Sequence, residues 1–311
     1  MSATIPGSSR LRAALVVAVV LGCGEAPPPR PEFEADSGSP ALAPVDSIGP
    51  GAAFVPRDSV VFAFEVSPHE YVSFEPLFQL DADTMSGALP EQGSAEGDLL
   101  ERLWYSPGTK YHAMSGGVHV GVIRLEGAAL AGCTGLPGDA SFVEKVPAAP
   151  LRGLAFAREP ASHDFVVEPT AAEDSIARAA LVERLRAAGV ADSALVELVW
   201  EPVHVVVTPD GARTVITSAG VHAFEDAERQ AHGHIVIEAT PAGTRVADAS
   251  ADDGRAIDSA HPESFDAADL DGDGAPEIVV RNHYYESWDY TIYRRIAGRW
   301  QRVFSGGGSG C

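Results

Sequence analysis

The chain has 311 residues, with 44 acidic against 22 basic side chains and a formal net charge of −22. So negative a field repels nucleic acid and anionic lipid, which excludes a nucleic-acid-binding protein and a protein that binds such membranes through charge. Residues 52–311 are enough for one large domain or two small ones with sizeable cores, and any partner should be cationic or neutral.

The N-terminal residues are typical of a secretion leader. Two arginines precede an apolar run, Ala13–Leu21, which is too short to span a membrane because a spanning helix needs about 20 apolar residues. The run ends in Val20-Leu21-Gly22-Cys23, which resembles the lipobox of bacterial lipoproteins. The resemblance implies a signal peptide over residues 1–22, an acylated Cys23, and a membrane-anchored protein on the extracytoplasmic side of the bacterial cell envelope. The alternative is a simply secreted protein.

Residues 23–51 predict a disordered tether. They contain seven prolines with scattered acids and almost no large apolar side chains. Such a segment cannot bury enough apolar surface to fold, so an extended backbone of the polyproline type is expected. It would hold the folded part away from the lipid surface.

Residues 52–190 predict a β-rich region that ends in a helix. Apolar or alternating runs indicate strands at Val60–Val66 and Gly117–Leu125. A capping box of Thr170 and Glu173, followed by apolar residues at helical spacing, predicts a helix over 171–188. Shorter strands are expected at Ser141–Val146, Gly153–Ala157 and Asp164–Val167, and an acidic, Gly-rich loop at Asp81–Gly97.

Residues 191–311 predict two units of similar plan. Asp210–Ile216 aligns without a gap with Asp273–Val279, and each segment follows one possible strand and precedes a strand pair. Thr208 and Thr214 take the place of acids in the first unit, which predicts that this unit has no ion site. The alternative is coincidence between two Asp-Gly hairpins. The expected strands are Val203–Val207, His234–Ala239 and Thr244–Ala247, and then Ser264–Ala268, Trp288–Ile296 and Arg299–Phe304.

The second unit carries the most informative motif of the chain. Asp269, Asp271 and Asp273 alternate, and the carbonyl of Ala275 and the carboxylate of Glu277 can add further oxygens. A hard dication such as Ca²⁺ takes six to eight oxygen ligands, so carboxylates must converge from a tightly curled backbone. The alternative is an Asp/Gly-rich turn without an ion, in which the crowded carboxylates would repel one another.

An EF-hand is excluded, because Val280 occupies the twelfth position, where that motif has a bidentate Glu, and because β-branched residues follow the loop. The motif instead resembles the integrin-type FG-GAP or VCBS repeat, whose DxDxDGxxD loop joins strands of a propeller-like blade. The resemblance covers 261–304 and implies a structural Ca²⁺ held by the three aspartates and Glu277, although Glu replaces the last Asp of that pattern.

Two such units cannot close a propeller, which normally takes at least four blades. The predicted fold is therefore α+β and mostly β. It should have antiparallel sheets, one prominent amphipathic helix and a C-terminal module that is like a propeller blade.

The three cysteines fit an oxidising compartment. If Cys23 is acylated, Cys133 and Cys311 remain as a pair, and a disulfide between them is expected. The bridge would close a very long loop, for which the chain-entropy model gives about 5 kcal/mol at most. Two free thiols are the alternative.

Other candidate sites receive less support from the sequence. His232 and His234 share a spacing found in some zinc sites but lack further ligands, so His232 is assigned to a polar loop and His234 to the start of a strand. His283 is assigned to the surface or to the surroundings of the calcium loop. Aromatic residues crowd around the last hairpin, and their alternation favours cross-strand pairs over a platform for carbohydrate or peptide.

The sequence contains no nucleophile elbow, P-loop or dinucleotide-binding motif, so no catalytic or cofactor-binding residue is assigned. The leading interpretation is non-enzymatic: a lipid-anchored, calcium-stabilised extracytoplasmic binding or scaffold protein with a carbohydrate or protein ligand. The alternative is an envelope hydrolase with its active site in 52–190.

Overall fold

Antiparallel β-sheets make up most of the structure, which is a computed structural model. It describes residues 59–67, 71–81, 84–86, 95–129, 137–144, 151–221, 231–240, 243–253, 260–284 and 286–310. These residues all belong to the unit Ala53–Cys311. The predictions for the leader, the tether, Cys23, Cys133 and Cys311 fall outside the described residues. No described helix is long and apolar enough to cross a membrane.

The N-terminal strands form a closed barrel. Six of them pair in the order β1-β7-β4-β5-β6-β2, and β2 also pairs with β1, while the short β3 is added to β2. Closure satisfies the backbone edges that an open sheet would leave unpaired. The strands are β1 (Val60–Val66), β2 (Val72–Asp81), β3 (Thr84–Ser86), β4 (Lys110–Ser115), β5 (Val118–Ala128), β6 (Gly138–Phe142) and β7 (Leu151–Phe156).

Aromatic side chains fill the barrel core. Phe62 stacks on Phe74 with ring centroids 4.8 Å apart, and Tyr111 lies against both rings. Helix α1 (Ala95–Trp104) adds Leu100 and Trp104 to the same cluster. The predicted loop Asp81–Gly97 is therefore wrong at both ends, because β3 and the start of α1 lie within it. Its acidic, Gly-rich composition obscured these two short elements.

The second sheet has the order β13-β12-β11-β10-β8, and β9 pairs with β11. Helix α2 covers one face of this sheet and places Ala177, Leu181 and Leu185 in a buried cluster with strand residues. The elements are β8 (Val166–Val167), α2 (Ala171–Ala187), α3 (Asp192–Leu195), β9 (Val199–Trp200), β10 (His204–Val207), β11 (Arg213–Val221), β12 (Ala231–Thr240) and β13 (Gly243–Asp252).

The predicted helix is confirmed to within one residue. Thr170 is its N-cap, with Oγ1 accepting from the Glu173 N–H at 3.3 Å, while the Glu173 carboxylate accepts from the Thr170 N–H at 2.8 Å. This capping box satisfies two backbone donors that the first turn leaves free. Local sequence alone therefore determines where α2 begins.

The third sheet is a four-stranded meander, β14-β15-β16-β17. The strands β10 to β13 of the second sheet follow the same plan, so each half of the aligned pair is a meander whose first connection contains the Asp-Gly turn. The strands are β14 (His261–Ala268), β15 (Glu277–His283), β16 (Ser287–Ile296) and β17 (Arg299–Gly310).

The third sheet is buried on both faces. One face joins the barrel in a cluster that includes Phe265, Val279 and Tyr290 together with Val61 and Phe78 of the barrel. The opposite face packs on the second sheet. This double burial explains the uninterrupted apolar run at the start of β15. The second interface contains Val206, Ile216, Val236, Ala267, Ile278, Val280, Tyr293 and Trp300.

Charged side chains also join the barrel to the third sheet. Arg281 on β15 contacts Glu65 of β1 at 2.8 Å, and Arg152 of β7 contacts Glu263 of β14 at 2.9 Å. Burial alone would raise the pKa of Glu263, but the hydrogen bond with His283 and the charges of Arg281 and Arg152 lower that pKa to about 2. Glu263 is therefore ionised and paired in the folded protein.

The predicted fold class is confirmed in its coarse form: mostly β, with antiparallel sheets and few helices. The closed barrel was not predicted, and no propeller is identified in the part of the chain that the structure describes. Three short strands were placed approximately, since β6 ends at Phe142, β7 begins at Leu151 and β8 contains only Val166–Val167.

Candidate metal centre

The loop between β14 and β15 brings three carboxylates together. Ala268 pairs with Glu277 where the two strands meet, so residues 269–276 form a closed connection between paired strands. One carboxylate oxygen from each of Asp269, Asp271 and Asp273 lies within 4.8 Å of the others. The three aspartates that alternate in the sequence thus direct one oxygen each toward a common point.

Backbone hydrogen bonds hold this curled conformation. The two carboxylate oxygens of Asp269 accept from the N–H groups of Gly272 and Gly274 at 2.7 and 2.9 Å. Asp271 accepts from the Asp273 N–H, and Asp273 accepts from the Ala275 N–H. Gly272 and Gly274 have φ values of 81° and 86°, which strain any residue with a Cβ. The glycines are therefore required by the backbone itself.

The donor chemistry fits a hard divalent cation. Carboxylate oxygens are the ligands that Ca²⁺ prefers, and each of the three aspartates retains acceptor capacity beyond its backbone bonds. Asp269 is buried, Asp271 is half-buried and Asp273 is exposed, so the cluster opens to solvent on one side. An ion could enter from that side and keep some of its water.

Glu277 is positioned differently from the three aspartates. Its carboxylate accepts from the Leu270 N–H at 2.9 Å through one oxygen and from Arg294 Nε at 2.8 Å through the other. Burial and the nearby charge of Asp271 raise the pKa of Glu277 to about 7, against the lowering effects of Leu270 and Arg294. Glu277 closes the loop onto β16, and it is not part of the convergent set.

Sequence reasoning missed Arg294, the cation of this centre. Its guanidinium lies 2.8 Å from Asp271 Oδ2 as well as 2.8 Å from Glu277 Oε1. Tyr293 pairs with Ile278, so the next position along β16 lies across from Glu277. Opposite charges at facing positions of paired strands attract, and the predicted hairpin contained that signal. Ala275, whose carbonyl was the predicted ligand, contacts this loop through its N–H group, which donates a hydrogen bond to Asp273 Oδ1.

The corresponding loop of the second sheet contains a different arrangement. Asp210 accepts from the Thr208 hydroxyl and from Arg295, whose Nη1 lies 2.7 Å from Asp210 Oδ2. These bonds lower the pKa of Asp210 to about 2. Thr214 is buried and accepts from the Trp300 indole N–H at 2.7 Å. A guanidinium and a hydroxyl thus accompany the one carboxylate of this loop.

The predicted position of His232 is wrong. His232 and His234 are both buried side chains of β12, which begins before them at Ala231. Gly220 of the neighbouring strand β11 leaves room for the His232 ring, since a Cβ at residue 220 would lie only 2.6 Å from His232 Nδ1. Burial lowers the pKa of His234 to about 4, which keeps that imidazole neutral. His283 is 40 % exposed and hydrogen-bonds Glu263 at 2.8 Å.

The aromatic residues of the last hairpin serve mainly as interior groups. Tyr290 is buried, and its hydroxyl and the Trp288 indole N–H both donate to Glu75 of the barrel at 2.7 Å. The Tyr293 hydroxyl donates to Asp248 at 2.6 Å. These bonds connect sheets to one another, which favours the cross-strand interpretation over an exposed platform.

A cavity of about 470 Å³ lies where the barrel and the two sheets meet. Asp266 of β14 is buried at its wall, and one of its oxygens accepts from the Gly116 and Ala267 N–H groups at 2.7 and 2.8 Å. Its other oxygen has no partner among the described residues, and burial raises the pKa of Asp266 to about 7. The acids Asp164 and Glu201 also line the cavity.

No known protein family, curated protein or solved structure matches the chain.

Proposed function

We propose that this chain is a calcium-stabilised, lipid-anchored binding or scaffold protein on the extracytoplasmic side of the cell envelope. The observation that carries the proposal is the convergence of Asp269, Asp271 and Asp273 in a loop whose backbone bonds already fix their directions. Three carboxylates so close together are stabilised by a divalent cation, because without one their charges repel.

The kinship proposed for this module is with FG-GAP or VCBS blades. A DxDxDG loop between the first two strands of a four-stranded meander supports it, as does a second meander packed on the first, face to face. In such a module the ion is structural. Leu270, next to Asp269, packs in the cluster shared with the barrel, so an ion in the loop would also stabilise that contact.

The proposed ligand site is the cavity between the barrel and the two sheets. Its volume of about 470 Å³ suits a small molecule or one sugar or side chain of a larger ligand. Two acids, Asp164 and Glu201, line it together with one arginine, Arg152, which favours a neutral or cationic group. Inside the barrel, by contrast, the rings of Phe62, Phe74 and Tyr111 pack together in the core.

One observation supports an envelope hydrolase as the second candidate, although its acid lies on β14 and therefore outside the region 52–190 in which the sequence analysis placed such an active site. Asp266, with its pKa raised to about 7, shares the cavity with two other acids, and a carboxyl protonated near neutral pH is what general acid catalysis requires. Turnover of chromogenic glycosides or peptides that is lost in Asp266→Asn would favour this candidate. Ligand binding without turnover favours the binding protein.

The calcium proposal is tested by thermal unfolding with Ca²⁺ and with EGTA. At a calcium concentration 100 times the dissociation constant, binding adds about 2.7 kcal/mol to the free energy of unfolding. We expect the midpoint to rise with calcium in the parent and to lose that dependence in Asp269→Asn and Asp273→Asn. Asp210→Asn, in the equivalent loop of the second sheet, is the matched control and should keep the full calcium response. An equal midpoint of the parent in both buffers would refute the proposal.

A further inference from the structure

A second group of metal-ligating side chains lies on the barrel, distinct from the aspartate loop. His112 of β4, His119 of β5 and Glu159, which follows β7, each offer one ligand atom, and these atoms lie within 4.8 Å of one another. The two histidine rings are tilted, with centroids 5.6 Å apart. Imidazole nitrogen with one carboxylate is a donor set for zinc-class ions, whereas Ca²⁺ prefers oxygen alone.

A β-bulge places both histidines on the outer face of the barrel. Tyr111 and Ala113 of β4 point into the barrel core, so the intervening His112 points outward. The pairing of β4 with β5 shifts between Ala113 and Met114, so that His119 rather than Val120 lies opposite Met114. Val120 then packs against the barrel core, and His119 joins His112 outside. Without the extra residue, His119 would point inward.

The ring nitrogens of these histidines are left without partners. His112 Nδ1 and His119 Nε2 are shielded from solvent, and neither has a hydrogen-bond partner among the described residues. A buried polar atom left unsatisfied costs about 1–3 kcal/mol. Coordination to one metal ion would satisfy both ring nitrogens at once.

The segment that carries Glu159 is held across the two histidine strands. Phe156, at the end of β7, pairs with His112. Farther along, the His163 N–H donates to the Gly117 carbonyl at 2.8 Å, and Ser162 Oγ accepts from the His119 N–H at 3.2 Å. These bonds fix the segment on both sides of Glu159, whose carboxylate lies 4.0 Å from His112 Nδ1.

We propose that His112, His119 and Glu159 bind a divalent transition-metal ion of the zinc class. Two ligand atoms of a tetrahedral zinc-class ion lie about 3.4 Å apart, so the 4.0 Å between Glu159 Oε2 and His112 Nδ1 must shorten by about 0.6 Å on binding. The Glu159 side chain is 60 % exposed and free to make most of that movement. Three protein ligands leave a fourth position of a tetrahedral ion for water or an external ligand.

The proposal is tested on the full chain, stripped of metal and kept in excess Ca²⁺ so that the aspartate loop does not compete. Zn²⁺ is titrated by calorimetry, and Co²⁺ by its visible absorption, which reports a site of low coordination number. The variants are His112→Gln, His119→Gln and Glu159→Gln. His163→Gln, an exposed histidine in the same segment, is the matched control.

We expect one Zn²⁺ per chain in the parent and in the control, and at least tenfold weaker binding in each of the three variants, because loss even of a group behind a ligand costs about 10–100-fold. Equal Zn²⁺ affinity in the parent and the three variants, or no binding by the parent, would overturn the proposal. Circular dichroism checks the fold of each variant. Because Glu159 is exposed, its variant decides the matter if a histidine variant unfolds.

Discussion

Asp266→Asn should remove the pH dependence that one buried carboxyl gives to the stability of the fold. Asp266 lies on β14, where the pairing with β15 shifts between Ser264 and Asp266. Its carboxyl accepts from the N–H groups of Gly116 and Ala267, so it connects the third sheet to a turn of the barrel. Burial in this position raises its pKa from 3.8 to about 7.

The magnitude follows from that shift. The folded state holds the proton up to about pH 7, whereas the unfolded state releases it near pH 3.8. The stabilising contribution is therefore complete below pH 3.8 and is lost as the pH rises to about 7. A shift of about three pKa units corresponds to about 4 kcal/mol, which is an upper bound because a protein relaxes around a buried charge.

The assay is unfolding by urea between pH 4.5 and pH 8 in excess Ca²⁺, on the parent and on Asp266→Asn. The amide keeps the acceptor oxygen and cannot ionise. We expect the free energy of unfolding of the parent, minus that of the variant, to fall by up to about 3 kcal/mol across this range, because part of the full change already lies below pH 4.5. Asp164→Asn, which changes an exposed acid of the same cavity, is the matched control.

A difference that stays flat with pH would refute the reasoning, since it would mean that Asp266 titrates alike in the folded and unfolded chains. A difference that rises with pH would show that the backbone donors at Gly116 and Ala267 stabilise the carboxylate more than burial destabilises it. Either result would also remove the pKa argument for the hydrolase candidate.

Two further predictions concern the candidate calcium loop and the cysteines. Arg294→Gln should lower the stability in EGTA by about 2–3 kcal/mol, because Glu277 loses its buried partner. The same variant should bind Ca²⁺ at least tenfold more tightly, because a cation in contact with Asp271 no longer opposes the ion. Thermal melting measures the first effect and calorimetry the second, and weaker calcium binding would instead mean that Arg294 holds Asp271 in its ligating position. Cys133 and Cys311 should resist alkylation until the protein is reduced, which intact mass measures, and labelling of both before reduction would exclude the bridge.

Features encoded by neighbouring residues could be predicted from the sequence. The start of α2 follows from Thr170 and Glu173, which are three positions apart in the sequence and form two reciprocal hydrogen bonds. The convergence of the aspartates follows from their alternation and from Gly274. Three strands of each meander were predicted from local apolar patterns near an Asp-Gly turn, whereas β11 was not among the predicted strands.

Features set by distant pairing could not be predicted. The barrel closes because Val60–Val66 pairs with both Val72–Asp81 and Leu151–Phe156, and nothing within these strands specifies which partners they choose. The outward direction of His119 depends on a single extra residue in one strand, which a period-two pattern does not reveal. Asp266 reads as one more acid in an acidic chain until its burial is known.

The third sheet connects the aspartate loop to the barrel. Because that sheet is packed on both faces, residues that fix its loop also fix its contacts with the barrel. Leu270, which lies between two of the aspartates, is buried in the interface with the barrel. At the same interface, Gly307 of β17 packs against β2, since a Cβ at residue 307 would lie only 2.2 Å from the Leu77 carbonyl oxygen. A cation bound at the aspartates would therefore act on the barrel contact directly, since the chain that curls around the ion is the chain that fills the interface. Such an ion would stabilise the whole unit, although all its ligands come from one short loop.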